Sequence, residues 1–240
     1  NDVHSNFENY KKVVTLINQH KDENTIVLDG GDFADFKSIE LQGTKGMAAI
    51  ELLEAGSYDA ITIGNNEMFN GIDTLENMAS NSPIPFISNN LYKKDRSHIS
   101  GVKSSVILEK NGLRILLTVT SPDMGVFNIG LGIYLTDYTN AIKEEITNNE
   151  GNYDICILLS HVGTFADELL AKEIKEIDII VSAHDHKLFE QAQVINKTFM
   201  NSAGNYGEHI GIMEIEIDGG KVHLLHSQTI STKDIQESEQ

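Results

Sequence analysis

Two stretches decide the fold: Ile155-Cys156-Ile157-Leu158-Leu159-Ser160-His161 and Ile179-Ile180-Val181-Ser182-Ala183-His184-Asp185-His186. Each is an apolar run of strand length that stops at histidine. Two further stretches repeat the plan with other polar ends. Ile26-Val27-Leu28 leads to Gly31-Asp32, and Ala60-Ile61-Thr62-Ile63 leads to Gly64-Asn65-Asn66-Glu67. A fifth polar motif, Asp2-Val3-His4, opens the chain with no strand ahead of it. Residues preceding Asn1 are therefore expected in the native chain. Buried strands that end on polar residues are how open α/β sheets place their sites, at the carboxyl ends of the strands.

Periodicity fills in the rest. Helical spacing of apolar residues predicts helices over 6–21 (Phe7, Tyr10, Val14, Ile17), 46–55, 73–79, 136–148 and 166–176. Strands are expected over 25–29, 60–64, 155–160 and 179–183, and Pro83 and Pro85 close the helix before Phe86-Ile87-Ser88-Asn89-Asn90. Asn111-Gly112 between two apolar runs predicts a hairpin joining 106–110 to 113–120. The Gly-rich segment 121–135 reads as a loop. Residues 193–230 read mostly as strand, with a hairpin turn at Gly219-Gly220. This order fits the α/β class, as two mixed sheets packed together with helices on both outer faces. One domain over 1–230 is expected, then a polar tail or linker over 231–240.

The chain has 240 residues, 40% of them hydrophobic, enough for one sizeable core. Its formal net charge of −18 repels a phosphate backbone, so nucleic-acid polymer is excluded as a ligand class. A small phosphate compound stays admissible where metal ions reverse the local field. No run is long and apolar enough to span a membrane. The single cysteine, Cys156, sits in an apolar run and reads as a buried, inert thiol. A lone free thiol leans toward a reducing, cytoplasmic compartment.

The polar motifs supply carboxylates (Asp2, Asp32), an amide oxygen (Asn65) and imidazoles (His4, His161, His184, His186). Oxygen and nitrogen donors without thiolate suit two divalent ions such as Mn, Zn, Fe or Ni. Two such ions carry +4 against −2 from the carboxylates, so the centre stays positive and attracts a phosphoryl group. His20, His98, His209, His223 and His226 belong to no motif and read as surface or packing residues.

The ordered set resembles the calcineurin-like metallophosphoesterases, and within them the catalytic domain of the 5′-nucleotidase branch. The stretches that carry it are NDVHSNFENY (1–10), LDGGDF (28–33), YDAITIGNNEMFNG (58–71), ILLSHVG (157–163), IDIIVSAHDH (177–186) and SAGNYGEHIG (202–211). The resemblance implies a four-layer α/β/β/α sandwich. It implies one ion held by Asp2, His4, Asp32 and His186, a second by Asp32, Asn65, His161 and His184, and Asp32 as the bridge. It further implies hydrolysis of a phosphate ester or anhydride of a nucleotide. A C-terminal nucleotide-binding domain is expected in the full-length chain.

The chain departs from the family at the third motif. The branch usually reads GNHEFDNG; here Asn66 stands for the histidine and Phe69 for the aspartate that orients it. Asn66 is thus the catalytic position, but an amide delivers no proton at neutral pH. The loss weighs most on poor leaving groups, so a preference for phosphoanhydrides or activated esters is expected. Asp185 is one candidate substitute acid. Ala183 replaces the usual glycine before His184, a change expected to act at the rim of the site. Two other readings stay open: a metal-binding module that has lost catalysis, and a hydrolase of phosphodiesters or sulfur esters.

Overall fold

The computed structural model describes residues 1–235. The first half holds α1 (Phe7–His20), β1 (Leu28–Asp29), α2 (Ile39–Thr44), α3 (Met47–Ala55), β2 (Ala60–Thr62), α4 (Asn65–Phe69), α5 (Ile72–Asn81), β3 (Phe86–Ile87), β4 (Leu91–Lys93) and β5 (Val102–Lys103). The hairpin β6 (Val106–Lys110) and β7 (Leu113–Thr120) follows, then α6 (Phe127–Leu131), β8 (Ile133–Leu135), α7 (Tyr138–Asn148) and β9 (Ile155–Ser160). The chain continues with α8 (Thr164–Glu173), β10 (Ile179–Ser182), β11 (Gln193–Ile195), β12 (Thr198–Asn201), β13 (His209–Asp218) and β14 (Lys221–Ser231).

Side-chain alternation makes the layers. In β7 and β9, Ile115, Leu117, Val119, Ile155, Ile157 and Leu159 face inward, onto Ala60 and Ile87 of the other sheet. Their neighbours Leu116, Cys156 and Leu158 face outward, onto Ile142 and Ile146 of α7 and Leu170 and Ala171 of α8. On the other sheet Ile61 and Phe86 turn away from the inner core, to Tyr10 and Val14 of α1, Ile50 and Leu53 of α3 and Leu75 of α5. A period of two on strands and 3.6 on helices thus yields three apolar seams between four layers, α/β/β/α. Each fully buried Leu or Ile contributes about 1.5–3 kcal/mol by leaving water.

One sheet has the order β1-β2-β3-β5 and the other β11-β12-β10-β9-β7-β6. The first is parallel throughout, which corrects the expectation of two mixed sheets. Only the second is mixed, because the 106–110/113–120 hairpin and β11 add antiparallel edges. Two antiparallel ribbons, β13-β14 and β4-β8, stand apart from both sheets. Met213, Ile215, Ile217 and Val222 of the first ribbon pack on the inner seam.

Other expectations shift for local reasons. The strand expected over 25–29 shrinks to Leu28–Asp29, since the Val27 N–H donates to the Asp59 carboxylate at 2.8 Å rather than to a neighbouring strand. The loop expected over 121–135 contains α6 and β8. Glycines masked that helix, yet Gly132 ends it with the left-handed turn (φ 71°) that glycine adopts without penalty. Ordered contacts continue past 230: Ser231 pairs with His209 in the β13-β14 ribbon, and the buried Thr232 hydroxyl donates to the Gly207 carbonyl at 2.9 Å. The remainder of the expected tail, 236–240, lies outside the described residues. Among the described residues no helix is long and apolar enough to cross a membrane.

Candidate metal centre

The polar motifs converge where both sheets end. The Asp2 N–H donates to the Gly31 carbonyl at 2.8 Å and the His4 N–H to the Asp32 carbonyl at 2.9 Å, which stitches the first motif to the second. The Asp2 carboxylate accepts from the His184 N–H at 3.1 Å, which adds the last motif. The Tyr206 N–H donates to the Asp2 carbonyl at 2.7 Å.

Two overlapping groups of donor atoms result, Asp2–His4–His186 and Asp2–Asp32–His161. His4 Nε2 and His186 Nε2 lie 3.1 Å apart, and His186 Nε2 is 3.6 Å from Asp2 Oδ1. His161 Nε2 is 3.3 Å from Asp32 Oδ2, and His4 Nε2 is 3.9 Å from the same oxygen. The His184 ring stands edge-on to His161 with centroids 5.1 Å apart. Asp2 is therefore shared by both groups, a role the family resemblance gives to Asp32.

The backbone at these residues is unusual. Asp2 (φ 53°), His4 (50°), Asp32 (54°), His184 (86°) and His186 (57°) all occupy the left-handed region. Each costs about 1–2 kcal/mol in an L-residue, so the surrounding hydrogen bonds must hold it there. Neighbouring glycines make the room. Gly31 itself has φ 97°, and a Cβ on it would fall 2.8 Å from His161 Nδ1. A Cβ on Gly64 would collide with Asp32 Oδ1 and fall 2.6 Å from the Asp32 nitrogen. Gly64→Ala is expected to destabilise the fold by about 1–3 kcal/mol through overpacking, and to displace Asp32. Urea unfolding checks it; a change within about 0.5 kcal/mol, the scatter of ordinary surface substitutions, would contradict it.

Glu67, to which the motif pattern assigns no role, fixes this corner. Its buried carboxylate accepts from the N–H groups of Gly64 (2.8 Å), Ala34 (2.9 Å) and Asp32 (3.0 Å). The Asn205 side-chain amide meets His186 Nδ1 at 3.0 Å, and the Tyr206 ring lies against His4 and His186. Both sit in the quoted stretch SAGNYGEHIG, whose polar residues carried the only signal for them.

Electrostatics prepare the imidazoles. Burial pushes His4 and His184 below the usual histidine value, into the neutral form that binds metal. Burial works the same way on His161, but the Asp32 carboxylate, then Asp2 and the Gly30 carbonyl, outweigh it and raise that ring. The reciprocal charge of His161 and two Asn66 donors hold Asp32 low against its own desolvation. His161 Nδ1 donates to the Gly30 carbonyl at 2.8 Å, which aims Nε2 at the acidic pair; an ion bound there would take the place of the Nε2 proton.

The residues fit divalent ions. Buried polar atoms are normally satisfied. Asn65 Oδ1 and His161 Nε2 are buried without a hydrogen-bond partner, and both belong to the motif set. Asn65 is followed by Asn66, whose N–H and amide both grip Asp32, at 2.7 and 2.6 Å.

Three sequence expectations change here. Asn66 is buried, and its amide donates to Asp32 Oδ2 at 2.6 Å and lies 3.4 Å from His4 Nδ1. Phe69 packs with Phe36 and Phe127, at centroid distances of 5.3 and 6.1 Å. Asp185 turns Oδ2 to Thr164, accepting from its N–H (3.1 Å) and its hydroxyl (2.5 Å), rather than presenting that oxygen to the centre. Ala183 is fully buried against Gly30, away from the rim.

Residues 1–188 match the family model for calcineurin-like phosphoesterases. The chain belongs to the calcineurin-like phosphoesterase family. It is 36% identical over 249 residues to the uncharacterized metallophosphoesterase YunD of Bacillus subtilis, covering 99% of this chain and 53% of YunD. It is 27% identical over 234 residues to a 5′-nucleotidase of Diplobatis ommata, covering 84% of this chain and 39% of that protein. The fold is also that of NAD nucleotidase from Haemophilus influenzae, with TM-score 0.79 at 19% identity over 92% of this chain and 48% of that one. The chain spans about half or less of the length of these relatives. Calcineurin-like phosphoesterases use divalent metals, and the two donor groups above are this chain's candidate ligands.

Behind the centre sits one more buried acid, Asp167 of α8, with both oxygens accepting hydroxyls, from Ser160 and Ser182. Burial raises its carboxyl to about 7, against those two hydrogen bonds; Asp185 raises it further and His161 opposes. The folded chain therefore binds one more proton than the unfolded chain between the ordinary value of 3.8 and about 7. The stability this group contributes is complete below that window and is lost as pH rises through it. In chelator-treated protein, Asp167→Asn is expected to be more stable relative to wild type at pH 8 than at pH 5. Equal differences in urea unfolding at both pH values would contradict it.

Proposed function

We propose that this chain is the catalytic unit of a dinuclear metal-dependent phosphohydrolase whose substrate is a nucleotide or a similar small phosphate ester or anhydride. The observation that carries the reading is the convergence of Asp2, His4, Asp32, His161 and His186 beside two buried atoms, Asn65 Oδ1 and His161 Nε2, that make no hydrogen bond. Asp2, His4, Asp32 and His186 would hold one ion, and Asp32, Asn65, His161 and His184 the other. The donor set suits Mn, Zn, Fe or Ni. When bound, such ions polarise a phosphoryl oxygen and lower the pKa of a water to about 7.

The chain's own residues do the rest. His161 is oriented by the Gly30 carbonyl, and Asp32 is held in place by Asn66. Two carboxylates against two dications leave the centre positive toward a phosphate dianion, although the whole chain is strongly acidic. No proton donor stands at position 66, so leaving groups that depart as anions are favoured: phosphate, a nucleoside phosphate or an activated phenol. The names of the 5′-nucleotidase and NAD nucleotidase relatives support a nucleotide substrate. This reading assigns recognition of the base to a further, C-terminal domain such as the longer relatives have room for.

The test is turnover by Mn²⁺-reconstituted protein of AMP, ATP and bis-p-nitrophenyl phosphate. Hydrolysis of ATP or the activated diester well ahead of AMP is the expected result. Two bound ions with no turnover of any of them would favour the second reading, a metal-binding module past catalysis. The Asn66 and Phe69 substitutions are what give that reading its weight.

A further inference from the structure

Ser160 and Ser182 are register partners, the last pair of the parallel ladder between β9 and β10. Beyond this rung the two chains separate. The His161 N–H turns to the Thr120 carbonyl at 3.1 Å, while the His184 N–H turns to Asp2. Both serine side chains point away from the inner seam, toward α8, where one fully buried carboxylate takes both hydroxyls: Oδ1 of Asp167 from Ser160, Oδ2 from Ser182. One turn earlier on the same helix, Thr164 grips Asp185, the residue between His184 and His186. The first turn of α8 thereby holds the ends of two strands and the loop after the second. Three of the four imidazoles of the centre leave from those points.

We propose that Asp167 is a positioning residue for the cation site of His161 and His184, fixing the distance between the two strand ends by bridging the Ser160 and Ser182 hydroxyls. The inference rests on the dinuclear reading above. It bears mainly on that site, because three of the four residues read for the other ion, Asp2, His4 and Asp32, come from the first 32 residues of the chain, and only His186 follows β10. Substitutions in the hydrogen-bond partners of metal-binding histidines typically cost about 10–100-fold in affinity, and Asp167 acts on two such histidines through the serines at the strand ends.

The test is calorimetric titration of Mn²⁺ into chelator-treated full chain, with circular dichroism melting as the folding control. Asp167→Ala is expected to weaken one of two binding steps by about 10–100-fold and leave the other within about threefold. Asp167→Asn keeps the shape, with one acceptor and one donor for the two hydroxyls, and should return both steps to within about threefold of wild type. The double variant Ser160→Ala with Ser182→Ala should reproduce the loss, and it decides the matter should Asp167→Ala fail to fold. Equal weakening of both steps, weakening of neither, or damage by Asn as great as by Ala would overturn the inference. So would a wild type that binds a single ion. A wild type that binds two ions without hydrolysing any phosphate would end the hydrolase reading and leave the positioning role intact.

Discussion

Asp32→Asn is expected to lower kcat/KM on ATP or bis-p-nitrophenyl phosphate by about 10³-fold or more and to strip the protein of bound Mn²⁺. Outer-shell changes alone cost about 10–100-fold, and Asp32 is read as a direct ligand to both ions. The substitution keeps the shape and removes one of only two carboxylates in the donor set. It also places an amide N–H₂ among donors. Asp32 Oδ1 accepts from the Asn66 N–H and Oδ2 from the Asn66 side chain, while His161 Nε2 stands 3.3 Å away. Whichever way the new amide turns, it faces a donor with a donor, and a buried clash of that kind costs about 1–3 kcal/mol. Elemental analysis beside steady-state kinetics checks both effects. An Asp32→Asn protein that retains two ions and near-normal turnover would remove Asp32 from the bridging position.

The opposite sign is expected from the double substitution Asn66→His with Phe69→Asp. It rebuilds a proton donor and the carboxylate that orients it, on the same short helix α4. General acid catalysis contributes about 10²–10⁴-fold, and the gain should fall on AMP, whose alkoxide leaving group needs the proton. Turnover of bis-p-nitrophenyl phosphate should stay within a few-fold. Asn66→His alone should recover less, because the new imidazole would face Phe69, which belongs to an aromatic cluster with Phe36 and Phe127. The double variant also gives up the Asn66 amide bond to Asp32, so its ion content must be measured alongside. An unchanged ratio of AMP to diester turnover would show that position 66 does not set leaving-group preference.

The layers and most of the donor set were legible in the sequence because each rests on a local pattern. A run such as Ile155-Cys156-Ile157-Leu158-Leu159 states its own burial, and the histidine after it states where the strand stops. What was not legible rests on contacts between distant segments. Glu67 reads as an ordinary helix glutamate until Gly64, Ala34 and Asp32 are seen to donate to it. Asp167 looks like a surface acid in an amphipathic helix, and only the approach of Ser160 and Ser182 gives it meaning. The sharing of Asp2 between both donor groups depends on a left-handed backbone that aspartate tolerates but does not announce. The strand expected over 25–29 failed for a similar reason, since the Val27 N–H is claimed by the Asp59 side chain and not by a neighbouring strand.

The strict alternation in β9 has a consequence for how this chain can change over time. Ser160 faces the helices and His161 faces the opposite sheet, one residue and one half-turn of pleat apart. A single-codon insertion within 155–160 would exchange them: the imidazole would swing to the α7–α8 side and the Ser160 hydroxyl would take its place at the centre. Two-residue changes would restore the parity while shifting the reach of the ligand by a full repeat, about 6.6 Å along the strand. The same parity binds the other strands that lead to donors and leaves free the segments that carry none, such as 121–135 and the turn at Gly219-Gly220. Descendants of this chain are free to acquire new specificities by lengthening those segments, and are barred from doing so by editing the strands that carry the chemistry.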